Sequence, residues 1–309
     1  MADFKSAEEN KEKLLYCQKI TDEIQSESKK PVCRLSFSHK AFSITDSHLG
    51  GIPYLPYNQK YPFGKDGQRL WLCAQINFTQ MPVMEGFPHE GILQFFLSDR
   101  HYDAGFGLYS EYPFAIDQSQ WRVIYYPSVD LSITEEYCKN KMPEFQEGDE
   151  DLWRTPKVPM KMSFSDVSEE GVGDTDYRFK KLFAQRLAAY VPDGDLEDYM
   201  PYVLHSNDPE DSNILRSIEK QIDIGGCKIG GYPRYEQDDP RVYTEDCNEP
   251  LEEWDTLLFQ LDDNTFTFPA GDIGEMDFDL NGGTLNFLIR SEDLKKRDFS
   301  KVLAQWSCS

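Results

Sequence analysis

Three short blocks occur twice in this chain, in the same order, and that recurrence limits its possible folds more than any other feature. Leu49-Gly50-Gly51-Ile52-Pro53-Tyr54 returns as Ile229-Gly230-Gly231-Tyr232-Pro233-Arg234. Leu70-Trp71-Leu72-Cys73-Ala74-Gln75-Ile76-Asn77 returns in part as Leu257-Leu258-Phe259-Gln260-Leu261-Asp262, and Gly91-Ile92-Leu93-Gln94-Phe95-Phe96-Leu97 as Gly283-Thr284-Leu285-Asn286-Phe287-Leu288-Ile289. Gly231 follows Gly51 by 180 positions, Gln260 follows Gln75 by 185, and Gly283 follows Gly91 by 192.

The blocks alternate with the period of a strand. Leu70, Leu72, Ala74, Ile76 and Phe78 fall on one face, and Arg69, Trp71, Cys73, Gln75 and Asn77 on the other. In the later copy Leu257, Phe259 and Leu261 stand for Leu72, Ala74 and Ile76, with Gln260 and Asp262 in the places of Gln75 and Asn77. Leu93, Phe95 and Leu97 are mirrored by Leu285, Phe287 and Ile289, with Gln94 and Asn286 opposite. A closing strand is expected at Trp121–Tyr126 in one unit and at Lys301–Trp306 in the other, Val302 following Val123 by 179. The shortened offset predicts an insertion in the first unit at His101–Tyr112, where Gly105 and Gly107 mark a loop. The second unit spans that gap with a short capped helical turn, Ser291–Lys296.

Other segments read as helix. Leu14, Cys17, Thr21 and Ile24 make an apolar stripe between Ser6 and Glu27, ended before Lys30-Pro31. Val32–Ile44 reads as extended. Phe179, Phe183, Leu187 and Tyr190 define a helix capped by Thr175, and Ile214, Leu215, Ile218 and Ile222 one that starts at Asp208-Pro209 and stops before Gly225-Gly226. Pro127–Gly173 is polar and broken by Pro143, Pro156 and Pro159. The fold class expected is α+β, with internally duplicated antiparallel β-rich units and inserted helices. Its divisions are an N-terminal helix at 1–30, a first β-rich repeat at 31–127, a linker and helical insertion at 128–224, and a second β-rich repeat at 225–309, expected to make one body.

Composition excludes several classes. No run approaches the roughly 18 apolar residues of a membrane span, and Met1-Ala2-Asp3-Phe4-Lys5-Ser6 lacks the apolar core of a signal peptide. Seven scattered cysteines without a C-x-x-C pair argue against a disulfide framework or structural zinc, and for reduced thiols in a cytoplasm. The formal charge is −23, and between Glu236 and Asp263 eleven acids face the single Arg241. Such a surface repels phosphate backbones, so nucleic acid is not an expected partner. It suits solubility, or a basic protein partner.

As an ordered set, Gly50-Gly51-x-Pro53, Ala74-Gln75-Ile76, Gly91 to Phe96, Gly230-Gly231-Tyr232-Pro233, Leu257 to Gln260 and the ending Asp298-Phe299-Ser300 to Cys308-Ser309 resemble the YwqG-like family, a bacterial group of unknown function. The resemblance spans Pro31 to Ser309 and implies a duplicated α+β fold, with no agreed activity. Where that family carries a Trp-Gly-Asp-type turn, this chain reads Asp277-Phe278-Asp279-Leu280-Asn281-Gly282, so a role of that turn does not carry over.

Catalytic patterns are missing. The histidines (His39, His48, His89, His101, His205) lack metal-ligand spacing, and neither glycine pair is followed by the G-K-[ST] of a phosphate loop. Gly50, Gly51, Pro53, Gly230, Gly231 and Pro233 read as structural turns. Cys73 and Cys227 are weighed as nucleophiles against small buried hydrophobes, and Asp238, Asp239, Asp246, Glu252 and Glu253 as calcium ligands against a solvated acidic loop. No catalytic residue, metal or cofactor is assigned. Gln75 and Gln260 are the leading binding candidates, since an amide in an apolar strand needs hydrogen bonds. Each either holds the Gly-Gly-x-Pro loop of its own repeat, or the two line a cleft between repeats. The expected function is a cytoplasmic protein-binding module, possible as an immunity-type partner of a basic toxin through Asp238, Asp239 and Asp246. The alternative is a small-molecule module or enzyme in the inter-repeat cleft. Oligomeric state is not legible.

Overall fold

Most of the repeated blocks become neighbouring strands of one sheet. The computed structural model describes residues 2–64, 67, 69–98, 116, 118, 121–144, 158–201, 204, 209–237, 239–242, 250–262, 280 and 282–308, with side chains from residue 9 onward. In chain order the strands are β1 (Lys30–Ser38), β2 (His48–Leu49), β3 (Leu70–Asn77), β4 (Ile92–Ser98), β5 (Trp121–Tyr126), β6 (Met160–Phe164), β7 (Ser168–Glu170), β8 (Lys228–Gly230), β9 (Thr256–Asp262), β10 (Thr284–Ile289) and β11 (Leu303–Ser307). Ten of them are hydrogen-bonded in the order β11-β10-β9-β8-β1-β6-β2-β3-β4-β5. Two antiparallel meanders, β2 to β5 and β8 to β11, thus flank a central pair, β1 and β6. That pair joins Leu35 to Phe164 on one side and Val32 to Gly230 on the other.

The pairings in the two meanders run in parallel. Across the first, His48 faces Gln75, Gln75 faces Gln94, and Gln94 faces Ile124. Across the second, Lys228 faces Gln260, Gln260 faces Asn286, and Asn286 faces Gln305. Each meander has a register shift two residues before its glutamine, at Cys73 and at Leu258. The bulge corrects the simple alternation, because an extra residue moves the side chains before it to the other face. Leu70 and Leu72 pack with Tyr54, Phe96 and Tyr126, whereas Ala74 and Ile76 join the main core. Pairing also sets Ala304, not Val302, opposite Phe287, the place that Val123 takes opposite Phe95.

The sheet coils until its halves face each other, as twisted sheets do when both inner faces are apolar. The Phe95 ring lies 5.0 Å from Phe259 and 4.8 Å from Phe287, in a core shared by strands of both meanders. Two short helices, α2 (Glu135–Lys139) and α5 (Ser291–Lys296), belong to this unit, which comprises Pro31–Ser168, Gly226–Gly230 and Tyr235–Ser309. α5 follows Arg290 with no side-chain cap.

The second compact unit comprises Met1–Lys30, Glu169–Gly225 and Gly231–Arg234. Its three helices are α1 (Ala2–Glu27), α3 (Tyr177–Tyr190) and α4 (Pro209–Ile222). Leu14, Cys17, Ile20 and Ile24 of α1 pack against Phe179, Phe183 and Leu187 of α3 and Ile218 and Ile222 of α4. The cap of α3 is Asp176 rather than Thr175. Its carboxylate accepts the Arg178 amide at 3.0 Å and holds the Arg178 guanidinium at 2.6 Å. The expected insertion at 101–112 lies outside the described residues, as do 277–279 and 281 of the altered turn.

Candidate functional site

Gln75, Gln94 and Asn77 lie on the outer face of the first meander, away from the phenylalanine core. Gln75 is fully buried and uses its whole amide. Its Oε1 accepts the Tyr54 amide at 2.9 Å and Gln94 Nε2 at 2.7 Å, and its Nε2 donates to the carbonyls of Ile44 at 2.9 Å and Asp46 at 2.8 Å. Gln94 Nε2 also reaches the Tyr54 carbonyl at 2.8 Å, and Asn77 Nδ2 the Thr45 carbonyl at 2.7 Å. These bonds hold the loop that carries the first Gly-Gly-x-Pro turn. His48 sits beneath the loop, stacked 4.7 Å from Phe42, with Nδ1 2.7 Å from the Gly50 carbonyl. Burial pushes its pKa down to about 4, with the Gly50 bond acting against it. The ring is therefore neutral and donates through Nδ1.

The outer face of the second meander has the same framework and a different chemistry. Lys228, Gln260, Asn286 and Gln305 form a row across four strands, and Asp262, Thr284 and Ser307 form the next. All seven have no exposed surface. Gln260 Nε2 donates to the Gly226 carbonyl at 2.8 Å, and Asp262 Oδ2 accepts the Gly226 amide at 2.7 Å. Ser307 Oγ accepts the Glu236 amide at 3.0 Å and lies 3.2 Å from Thr284 Oγ1. Gln305 differs from the others, because among the described residues neither its amide oxygen nor its amide nitrogen has a hydrogen-bond partner. An unmet buried polar atom costs about 1–3 kcal/mol, so this end of the row holds unused bonding capacity. An apolar flank, Leu257, Leu288 and Leu303 under Leu251 and Trp254, closes one side.

The two leading candidates do not share a cleft. Gln75 and Gln260 point to outer faces on opposite sides of the common core, because both strands put Ala74, Ile76, Phe259 and Leu261 inward. Asp239 is withdrawn from the proposed acidic surface. It is 4% exposed and holds the fully buried Arg241 in a two-bond fork, Nε to Oδ1 at 2.9 Å and Nη2 to Oδ2 at 2.7 Å. Asp238 and Asp246 lie outside the described residues, while Glu252 and Glu253 are exposed. Gly50, Gly51, Gly230 and Gly231 all take positive φ, at 59°, 78°, 74° and 68°, and Pro53 and Pro233 are buried beside them. Cys73 and Cys227 are buried, and burial pushes the Cys73 thiol well up, so it is not an activated nucleophile. Among the described residues no three His, Cys, Asp or Glu side chains converge as a metal site, and no helix is long and apolar enough to cross a membrane.

Against known families, residues 47–308 match the model of a domain of unknown function, DUF1963. The chain belongs to that family. The matched region begins one residue before β2 and ends one residue after β11, so the family domain contains both meanders and both outer faces. No curated protein matches the chain. The part of the site that sequence reasoning missed is Gln305. Its signal was its place across from Asn286, which the alignment of Val302 with Val123 hid by two positions.

Proposed function

We propose that this domain is a binding module that takes a small polar molecule against the outer face of the second meander. The observation that carries it is Gln305, neither of whose buried amide atoms is bonded among the described residues, whereas Gln75 in the first meander uses its whole amide on its own loop and on Gln94. The Gln305 amide offers a donor and an acceptor together, which suits a neutral, hydrogen-bonding ligand held in an orientation. The two meanders are proposed to be copies of one ancestral unit, supported by the matched rows, the matched bulges and the positive φ of both glycine pairs. A cytoplasmic setting fits the described cysteines, which are all free thiols. Native mass spectrometry of protein purified without denaturation tests the reading. A small-molecule mass is expected on the parent, lost on unfolding and missing from Gln305→Leu. A bare parent and an identical variant would contradict it.

A basic protein partner on segment 236–253 is the second proposal. The net charge of −23 and the exposed Glu252 and Glu253 favour it, with Asp239 no longer among its residues.

A further inference from the structure

β5 ends the strand order, and among the described residues its outer edge borders a groove rather than another strand. The groove, of about 370 Å³, is lined on one side by Arg122, Val123, Ile124 and Tyr125 and on the other by Arg297, Phe299 and Ser300, with Gln118 spanning the two at the Val123 end through bonds to the Val123 amide and the Phe299 carbonyl. It continues past Tyr125 and Arg297 into a wider space of about 650 Å³ bounded by Pro88, His89 and Glu90. The Tyr125 and Phe299 rings, 5.3 Å apart, bridge its walls.

One residue of this edge, Tyr125, is open among the described residues. The Val123 amide turns away from β4 to the Gln118 side chain, 2.8 Å away, so by the antiparallel alternation Tyr125 also directs its N–H and C=O outward. Among the described residues nothing bonds these two groups. Arg122 and Arg297 flank the edge, and among the described residues neither has a carboxylate partner. Arg122 reaches only the Phe63 carbonyl at 3.3 Å, and Arg297 is held by the carbonyls of Gly86, Phe87 and Leu294 at 2.6–3.0 Å. In a chain with 55 acids and 32 bases, two unneutralised guanidiniums on one groove form a local cationic site. Among the described residues no acid lines its narrow part.

We propose that this seam binds an extended acidic peptide by strand addition to β5. The peptide backbone would pair with Tyr125, and carboxylates on its two faces would meet Arg122 and Arg297. Side chains alternate along a strand, so the two acids would stand an odd number of residues apart.

Fluorescence anisotropy on the full chain tests this with a labelled Thr/Val peptide of about eight residues bearing two adjacent glutamates. A second peptide has lysines in their place, and a third is N-methylated at alternate residues. The expected result is binding of the glutamate peptide alone, weakened about tenfold or more by Arg122→Glu and by high salt. Equal binding of the lysine peptide, binding unchanged by N-methylation, or no binding of the glutamate peptide would each overturn the proposal. Arg122→Glu is the chosen variant because Arg297 also ties α5 to the Gly86 turn.

Discussion

Gln94 donates to Gln75 across the β3–β4 ladder at 2.7 Å, and between them the two amides hold both the N–H and the C=O of Tyr54. A sheet face and the loop covering it are thereby fixed by two side chains. Gln75→Leu would orphan the Tyr54 amide and the Ile44 and Asp46 carbonyls. A loss of about 1–3 kcal/mol per group still buried is expected, read as a lowered urea midpoint.

Stability should depend on pH through His48. Its folded pKa, about 4, lies below the ordinary 6.5, so between these values the unfolded chain binds a proton that the folded chain does not. The contribution is complete above pH 6.5 and declines as pH falls from there toward 4, by no more than about 3 kcal/mol. Unfolding midpoints measured from pH 7.5 to 4.5 should show this slope in the parent, and a flatter one in His48→Asn.

Arg241→Met should be among the most damaging single changes, because it leaves the Asp239 carboxylate buried without its cation. About 3–5 kcal/mol is expected, and adding Asp239→Asn should restore much of it. Denaturant melts of the single and double variants measure the difference.

Gly230 has φ of 74°, and a Cβ built there would lie 2.5 Å from the Pro31 carbonyl oxygen. Gly230→Ala should therefore cost about 1–3 kcal/mol through strain and clash together, seen as a lower melting temperature.

The ordered blocks made the strands legible, and Trp121–Tyr126 appears with the limits its alternation suggested. What escaped was long-range. Met160–Phe164 lies in a proline-broken segment whose local pattern says little, yet it pairs with β1 and β2 at the centre of the sheet. Leu70 and Leu72 changed faces because a one-residue bulge has no mark in the letters around Cys73. Asp239 read as surface because charge in a loop is usually solvated, and only the fold brings its neighbour Arg241 inside with it. Gln305 read as one polar letter in a closing strand, since its significance depends on bonds that it does not make.

The most direct measurement is the urea midpoint of Gln305→Leu in protein freed of small molecules by unfolding and refolding. If Gln305 awaits a ligand, replacing its unbonded amide by an apolar side chain of similar size should leave the midpoint unchanged or raise it. A midpoint lowered as far as that of Gln75→Leu would show that Gln305 serves the fold alone, and would contradict the account.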